Sequence, residues 1–398
     1  MNFYDRQIVA ALAEAIKAEF ALTDAQVGGL NAAFELTYPL AAVSLAMVAD
    51  RWSRQRIISL AVALWSAATA FTGAAGSYLV LLLARLGVGG GQGGYGPPAV
   101  ATLTEVFPGT HGARAVAVHE VGLMLGSAAG YLLGGLIGQA VGWRASFLLA
   151  GLPGLSLAWL IWRLRVGPPF VSPSRATVRP PIPQIAAGAL RRILAVPTLR
   201  LVYVGGILIY LSTGGLIFWL PSFMQRFHGY TLASASAVGG AAQVAVGVAG
   251  VLAGGWLGDR LVRRYPGGRL LAISFGLTAA TPLAVVALLA PSRPLFLATA
   301  GLALFFYAFN FPCTGPQLHD LTHPESRATA MALYLFLTHY LGNLPSAPFI
   351  GWLSDGGWGL RAGMVVMPSF GLLAALLMLW GARFAGRDAV TSNITSHT

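Results

Sequence analysis

Ala49-Asp50-Arg51-Trp52-Ser53-Arg54-Gln55-Arg56 and Gly258-Asp259-Arg260-Leu261-Val262-Arg263-Arg264 are two versions of one pattern. In each, a long apolar run ends at Asp-Arg and clustered arginines follow. The two aspartates are 259 − 50 = 209 residues apart. A second pair of markers, Ala113-Arg114-Ala115 and Ser326-Arg327-Ala328, is separated by 327 − 114 = 213 residues. Two independent markers at nearly one offset identify an internal repeat of about half the chain.

The runs flanking these markers fix the solvent. The stretches 57–84, 201–225, 229–258, 270–292, 294–319 and 362–382 contain no Asp, Glu, Lys or Arg, and about 20 apolar residues suffice to cross a bilayer as a helix. Across all 398 residues, 56% are hydrophobic and 10% charged, against about 25% charged in soluble domains. In lipid the backbone must satisfy its own hydrogen bonds, as helices or as a closed barrel. These runs are continuous and rich in Leu, Ala and Gly, without the period-two alternation of barrel strands. They predict helices near 2–19, 26–49, 57–76, 79–106, 113–139 and 144–165, then 201–223, 232–258, 269–290, 294–319, 327–354 and 361–383.

The expected organisation is therefore a six-helix unit over 1–165, a linker over 166–200, a second six-helix unit over 201–384 and a tail over 385–398. The linker is rich in Pro and Arg, has no acidic residue, and leaves room for a short surface helix around Gln184 to Leu194. In the second half Asp259 lies 259 − 201 = 58 residues after its first helix begins. An equivalent first helix would begin near 50 − 58 = −8, so the first helix is expected to be truncated, with Met1 an internal methionine; a naturally short first helix is the alternative.

The net charge of +12 reports topology before it reports partners. Of the 25 basic residues, 18 fall on the side that includes Arg51, Arg54, Arg114, Arg260, Arg263 and Arg327. By the positive-inside rule this side is cytoplasmic, as are both termini. Nucleic-acid binding is not expected. Cys313 is the single cysteine, so neither a disulfide framework nor a cysteine metal site can form. Residues 1–20 carry Asp5, Arg6, Glu14, Lys17 and Glu19 and do not read as a cleavable signal. The ratio of 24 Arg to one Lys fits a GC-rich bacterial genome, and hence a bacterial inner (plasma) membrane.

The Gly-Asp-Arg loop with trailing arginines after the second helix resembles the cytoplasmic signature of the major facilitator superfamily, over essentially the whole chain. The resemblance implies a helical transporter of two six-helix bundles working by alternating access. It also implies cytoplasmic gates, with Asp50 paired to Arg51 and Arg54, and Asp259 to Arg260 and Arg263. The first copy departs from the pattern in having Ala49 for Gly. A solvated turn that only orients the chain would show the same residues.

Asn2-Phe3-Tyr4-Asp5-Arg6, followed by Arg85 and by Val88-Gly89-Gly90-Gly91-Gln92-Gly93-Gly94-Tyr95, is similar to the Spinster-type branch, where Asn-Tyr-x-Asp-Arg and Gly-Glu-Ala-Ser-Tyr motifs occur. That likeness implies proton-linked transport, often export, of lysolipids or other amphiphilic organic solutes, with Asp5 as proton site and Arg85 as its partner. Gln92 stands where the second motif has Glu and cannot titrate. The anion/cation symporter branch shares the first motif and implies an organic anion symporter instead.

Ionisable groups within spans are expensive and are functional candidates by default. Buried Arg cannot discard its charge while buried Asp can take a proton, so Asp5 and Arg85 suit a switch, or else a static ion pair. Glu35 and Glu120 are candidate substitutes for the missing carboxylate, with His119 beside Glu120. Both could equally be interhelical contacts. Candidate substrate-cavity residues are Tyr4, Gln92, Tyr95 and His119 in the first half. The second half offers Tyr210, Gln243, Tyr307, Asn310, His339 and Asn343, besides Tyr203, Trp219, Gln317 and Tyr340; singly, each is also an ordinary core residue. Gly122, Gly126, Gly130, Gly134 and Gly138 recur every four residues and predict a close helix-packing face.

No metal is expected, and His319 with Asp320 reads as a helix cap. Gly89 to Gly94 lacks the strand and the Gly-Lys-Ser/Thr of a phosphate loop, which excludes a primary pump and leaves the proton gradient as energy source, with no cofactor. The spans offer no nucleophile–base or metal grouping for an enzyme. A non-transporting sensor on the same fold is the remaining alternative. The expected partners are a small-molecule or lipid-like substrate, protons and membrane lipid, with the chain a monomer.

Overall fold

Asp24, Arg54, Gly268 and Gly359 each open a helix, and helices account for almost all of the described chain. The computed structural model describes residues 2–49, 52–107, 110–164, 195–323 and 326–388, and among these there is no β-strand. The first half comprises α1 (Asn2–Phe20), α2 (Asp24–Ala49), α3 (Arg54–Gly73), α4 (Tyr78–Gly93), α5 (Gly96–Val106), α6 (Thr110–Val141) and α7 (Trp143–Arg163). The second comprises α8 (Pro197–His228), α9 (Leu232–Val262), α10 (Gly268–Leu289), α11 (Arg293–Tyr307), α12 (Asn310–Leu321) and α13 (Arg327–Leu337). A π-helical turn at Thr338–Asn343, α14 (Leu344–Leu353), a kinked turn at Ser354–Trp358 in which Gly357 has φ 91°, and α15 (Gly359–Ala382) complete it.

Among the described residues, eight stretches are long and apolar enough to cross a membrane. One of them, Thr329–Ala382, has 54 residues, more than twice the roughly 20 that a crossing needs. Three expected helices are interrupted. The span expected at 79–106 breaks between α4 and α5, where Gly93, Gly94 and then Pro97 and Pro98 weaken the ladder. The span at 294–319 breaks between α11 and α12, and the one at 327–354 is interrupted by the π turn. The first two breaks, after Gly93 and Tyr307, are 307 − 93 = 214 residues apart, so the break belongs to the repeat. The linker helix expected near Gln184 to Leu194 lies outside the described residues.

The chain divides into two compact units. One holds Met1–Ser172 with Ile217–Val244 and Ala347–Leu360; the other holds Pro173–Leu216, Ala245–Ser346 and Arg361–Thr398. In the first, small residues let helices touch backbone to backbone. A methyl on Gly151 of α7 would meet the Ser66 carbonyl oxygen of α3 at 2.5 Å, and one on Gly89 of α4 would meet that of Phe34 on α2 at 2.4 Å. Ser59 adds a hydrogen bond across α3 and α7 to the Ala158 carbonyl, at 2.7 Å. Such contacts replace hydrophobic driving force as the source of helix association in lipid.

The second unit repeats these pairings. Ser274 of α10 donates to the Ala375 carbonyl of α15 at 2.8 Å. Gly250 of α9 sits against the Phe305 carbonyl of α11, and Gly342 of the π turn against the Ile207 carbonyl of α8. Third helix with sixth, second with fourth, and first with fifth thus pair in both halves. An α8–α10–α13 core of Val202, Tyr203, Leu270, Ile273, Tyr334 and Met378 from α15 fills this unit.

The glycine stripe on α6 is shorter than expected. Gly130, Gly134 and Gly138 face α1, with would-be methyls 2.4 Å from the Tyr4 carbonyl oxygen, 2.9 Å from Ile8 and 2.3 Å from Leu12. Gly122 meets open space. The α1 partners advance by four, Tyr4, Ile8, Leu12, in step with Gly130, Gly134 and Gly138, and among the described residues none lies within 4 Å of a methyl on Gly122.

Candidate functional site

Asp5 is carried inward by the same stripe, because α1 lies against α6 along Tyr4, Ile8 and Leu12. Its side chain is 2% exposed, and Oδ1 makes no hydrogen bond. Arg85 of α4 is equally buried, at 2%. Its Nη1 donates to the Asp5 backbone carbonyl and its Nε to the Leu30 carbonyl, each at 3.4 Å. The guanidinium also lies over the Phe34 ring, 5.0 Å from the centroid. The expected Asp5–Arg85 pairing is therefore corrected in form. The two residues meet, but through the Asp5 backbone, and their side chains act on each other only through space. Glu35, 4% exposed on α2, and Arg6 also act electrostatically on Arg85.

Arg6 is an ionisable candidate of the same motif to which the sequence assigned no partner. Its Nε donates to Oε1 of Gln92 at 3.0 Å, and its guanidinium lies over Phe3, Phe34 and Tyr38 at 4.7, 4.9 and 4.2 Å. Gln92, fully buried, donates in turn to the Asn2 carbonyl at 3.0 Å. Among the described residues no carboxylate pairs with Arg6. Three aromatic faces and a neutral amide hold a cation without neutralising it.

A second group forms where α4 breaks. The Tyr95 hydroxyl and His119 Nε2 are 3.0 Å apart, their rings stack at 5.7 Å, and Trp65 packs edge-on to Tyr95. Glu120 lies 3.6 Å from His119 Nδ1 and is itself exposed. Tyr4, by contrast, is 8% exposed and serves the α1–α6 contact.

The second-half candidates separate. Tyr210 and His339 meet, with ring centroids 5.5 Å apart. Asn343 follows on the same π turn, against Gly214. Gln243 accepts from Ser127 at 3.0 Å. Asn310 is 5% exposed and its Oδ1 accepts from Thr314 of its own helix. The Tyr307 hydroxyl converges with those of Ser212 and Thr281 over Gly371 inside the second unit. Tyr203 donates to the Ala330 carbonyl and Trp219 to that of Ala347, so both are packing residues.

The arginine-rich ends differ from expectation. Asp50 and Arg51 lie outside the described residues. Arg54 pairs with Glu105. Asp259 pairs with Arg269, at 3.8 Å, and not with Arg260 or Arg263; Arg269 also pairs with Asp320. Arg260 lies over Trp256, 5.4 Å away and one turn earlier on its own helix. The reason is placement: Arg54 and Arg269 open α3 and α10, and so face the helix ends where Glu105 and Asp320 stand. The two pairs keep one offset, 269 − 54 = 215 and 320 − 105 = 215. Among the described residues no group of His, Cys, Asp and Glu could hold a metal.

The opposite end holds an ion cluster that the sequence reading did not foresee. Arg226 of α8 grips Asp24 with two hydrogen bonds of 2.8 and 2.7 Å and donates from Nε to Glu14 at 3.0 Å. Lys17 pairs with Asp24 as well, and Ser354 donates to it at 2.6 Å. Asp355 accepts from the Asp24 and Ala25 amides at 2.9 and 2.8 Å, capping α2. The signal available in sequence was only that these charges sit in the sparse loops of one side.

The family model described as Major Facilitator Superfamily matches residues 1–338. The chain belongs to that superfamily of membrane transporters, and within it to the Spinster branch. An MFS-type efflux pump of Mycolicibacterium smegmatis is 31% identical over 387 residues, covering 96% of this chain and 88% of that protein. Protein spinster homolog 3 of Danio rerio is 24% identical, covering 98% and 83%. A crystal structure of a bacterial homolog of the human lysosomal transporter Spinster, inward-facing and unoccupied, superposes with a TM-score of 0.86 at 27% identity, covering 97% and 95%. A D-xylose-proton symporter, at 14% identity and a TM-score of 0.74, shares the fold.

Proposed function

We propose that this transporter is a proton-coupled exporter of an amphiphilic small molecule, lysolipid or similar, in a bacterial plasma membrane with both termini cytoplasmic. The observation that carries the proposal is Asp5, a carboxylate 2% exposed whose Oδ1 lacks a hydrogen bond while Arg85 occupies its backbone carbonyl. A proton arriving at or leaving such a group changes the net charge of the site. Conformations that differ in how they solvate that charge are then shifted in population. The efflux-pump relative supports export, and the motif resemblance to the Spinster branch, which implies amphiphilic solutes, supports the amphiphile.

A second reading, organic anion symport, is favoured by Arg6. Asp5 and Glu35 balance Arg6 and Arg85 two against two, so protonating Asp5 leaves one positive charge. An anion bound at Arg6 would restore the balance, and proton and anion would then bind together.

One experiment separates them. Proteoliposomes are challenged in turn with lysolipids, cationic dyes and small organic anions while internal pH is followed, in parent, Asp5→Asn and Gln92→Glu proteins. Substrate-evoked proton flux is expected in the parent and absent in Asp5→Asn; an Asp5→Asn protein with full flux defeats the coupling role. Gln92→Glu gives Arg6 a carboxylate, and is expected to weaken anion-evoked flux by about tenfold under the symport reading. Under the amphiphile reading it leaves lysolipid flux largely intact.

A further inference from the structure

The compact unit that contains the first half also takes in Ile217–Val244 and Ala347–Leu360 of the second, and its contacts explain why. Along α2 and α14, a methyl on Gly28 would lie 2.6 Å from the Ala347 carbonyl oxygen, and one on Gly351 would lie 2.4 Å from that of Asp24. Along α6 and α9, Gly135 meets Ser236, Ser127 donates to Gln243, and Gln139 accepts from the Ala233 amide at 2.9 Å. Both seams join first-half helices to second-half segments at the end away from the arginine-rich loops. Backbones this close part only by a movement of whole helices.

The ion cluster sits at the tip of the α2–α14 seam. Asp24 is 3% exposed and is held twice. Its carboxylate is bound by Arg226, Lys17 and Ser354, and its amide by the Asp355 carboxylate. Of these partners only Lys17 comes from the first half. Parting the seam therefore strips Asp24 of Arg226, Ser354 and Asp355 at once, and strips Arg226 of Glu14. Buried charge pairs are costly to break because each partner is left uncompensated. Ser354 follows directly on α14, which begins after a π turn and ends in a kink where Gly357 leaves the helix at φ 91°, and π turns are common where helices do functional work. The π turn at the start of α14, away from the latch, carries His339 beside Tyr210.

We infer that Asp24, Arg226, Ser354 and Asp355 form the latch that closes the transporter at the end opposite its arginine-rich loops, and that α14 is the arm the latch holds. The latch sets how often that end opens, independently of which substrate or coupling ion the transporter uses.

The test needs no substrate. In a Cys313→Ala background, Ser127→Cys places a reporter on the α6–α9 seam, where Ser127 is 4% exposed. A membrane-impermeant maleimide is applied to right-side-out and to inverted vesicles. Labelling from the face opposite the arginine-rich loops is expected to rise about tenfold or more in Arg226→Gln and Asp24→Asn. In Ser354→Ala, which removes one hydrogen bond and leaves the ion pairs, a smaller rise of about threefold is expected. Labelling from the arginine-rich face should not rise in any of them. Unchanged labelling in Asp24→Asn and Ser354→Ala proteins that remain monodisperse overturns the latch. So does a rise from both faces, which reports loosened structure and not opening of one end.

Discussion

Asp24 shows how one carboxylate can be buried, charged and insensitive to pH. It precedes the apolar span that begins at residue 26, at the membrane edge. Burial pushes its pKa up, but hydrogen bonds from Arg226, Lys17 and Ser354 outweigh burial and hold it below the usual carboxylate range. A carboxylate depressed in the folded, closed state contributes its stabilisation above its free pKa and loses it only as pH falls through the depressed value. Labelling of the parent protein from the face opposite the arginine-rich loops, corrected for the pH dependence of the maleimide reaction itself, should therefore be the same between about pH 8 and pH 5. A latch that loosened markedly toward pH 5 in the parent protein would contradict this, and would move pH sensing from the membrane interior to the surface. Arg6 teaches the complementary lesson at this scale. Its charge was plain in the sequence, but only the structure shows it held by three rings and the amide of Gln92, with no carboxylate paired to it among the described residues.

At the scale of the helix, α6 against α1 is the contact that positions Asp5. Gly130→Ala would drive a methyl to 2.4 Å from a backbone oxygen, which no rotamer change relieves. Overpacking of this kind costs about 1–3 kcal/mol, so thermal denaturation in detergent should show a clear loss. Gly122→Ala, on the same stripe but in open space, should stay within about 0.5 kcal/mol of the parent. Equal effects would mean that the stripe does not pack as described. The four-residue spacing was visible in the sequence, since small residues in register announce a face. Which of them touch anything was not, because that depends on where the partner helix runs. The broken fourth helix of each half was hidden for a similar reason. Apolar runs report length and solvent, and a one-turn break at Gly94 or Ala308 leaves hydropathy unchanged.

For the whole molecule, the repeat extends from sequence into chemistry. Arg54–Glu105 and Arg269–Asp320 are the same ion pair in two copies, and helix pairing follows the same rule in each half. Both pairs are partly exposed, so Arg54→Gln and Arg269→Gln are each expected to change stability by less than about 1 kcal/mol. Arg269→Gln should have the larger effect because Arg269 also serves Asp259. Melting curves of the two variants check the order, and a large loss in Arg54→Gln alone would break the proposed equivalence.

The sequence by itself determined that the chain is a helical membrane protein, that it is built from a repeat, and that its motifs place it among major facilitator transporters of the Spinster branch. Composition, run length and motif spacing are local or periodic properties, and a linear string records them fully. The tertiary structure decided which charges meet: Arg269 and not Arg260 for Asp259, the backbone and not the carboxylate of Asp5 for Arg85, and Arg226 for Asp24 across 202 residues. Ion pairs and close glycine contacts depend on side-chain direction and on helix placement to within an ångström. Residues far apart in the chain come together only when the helices have packed.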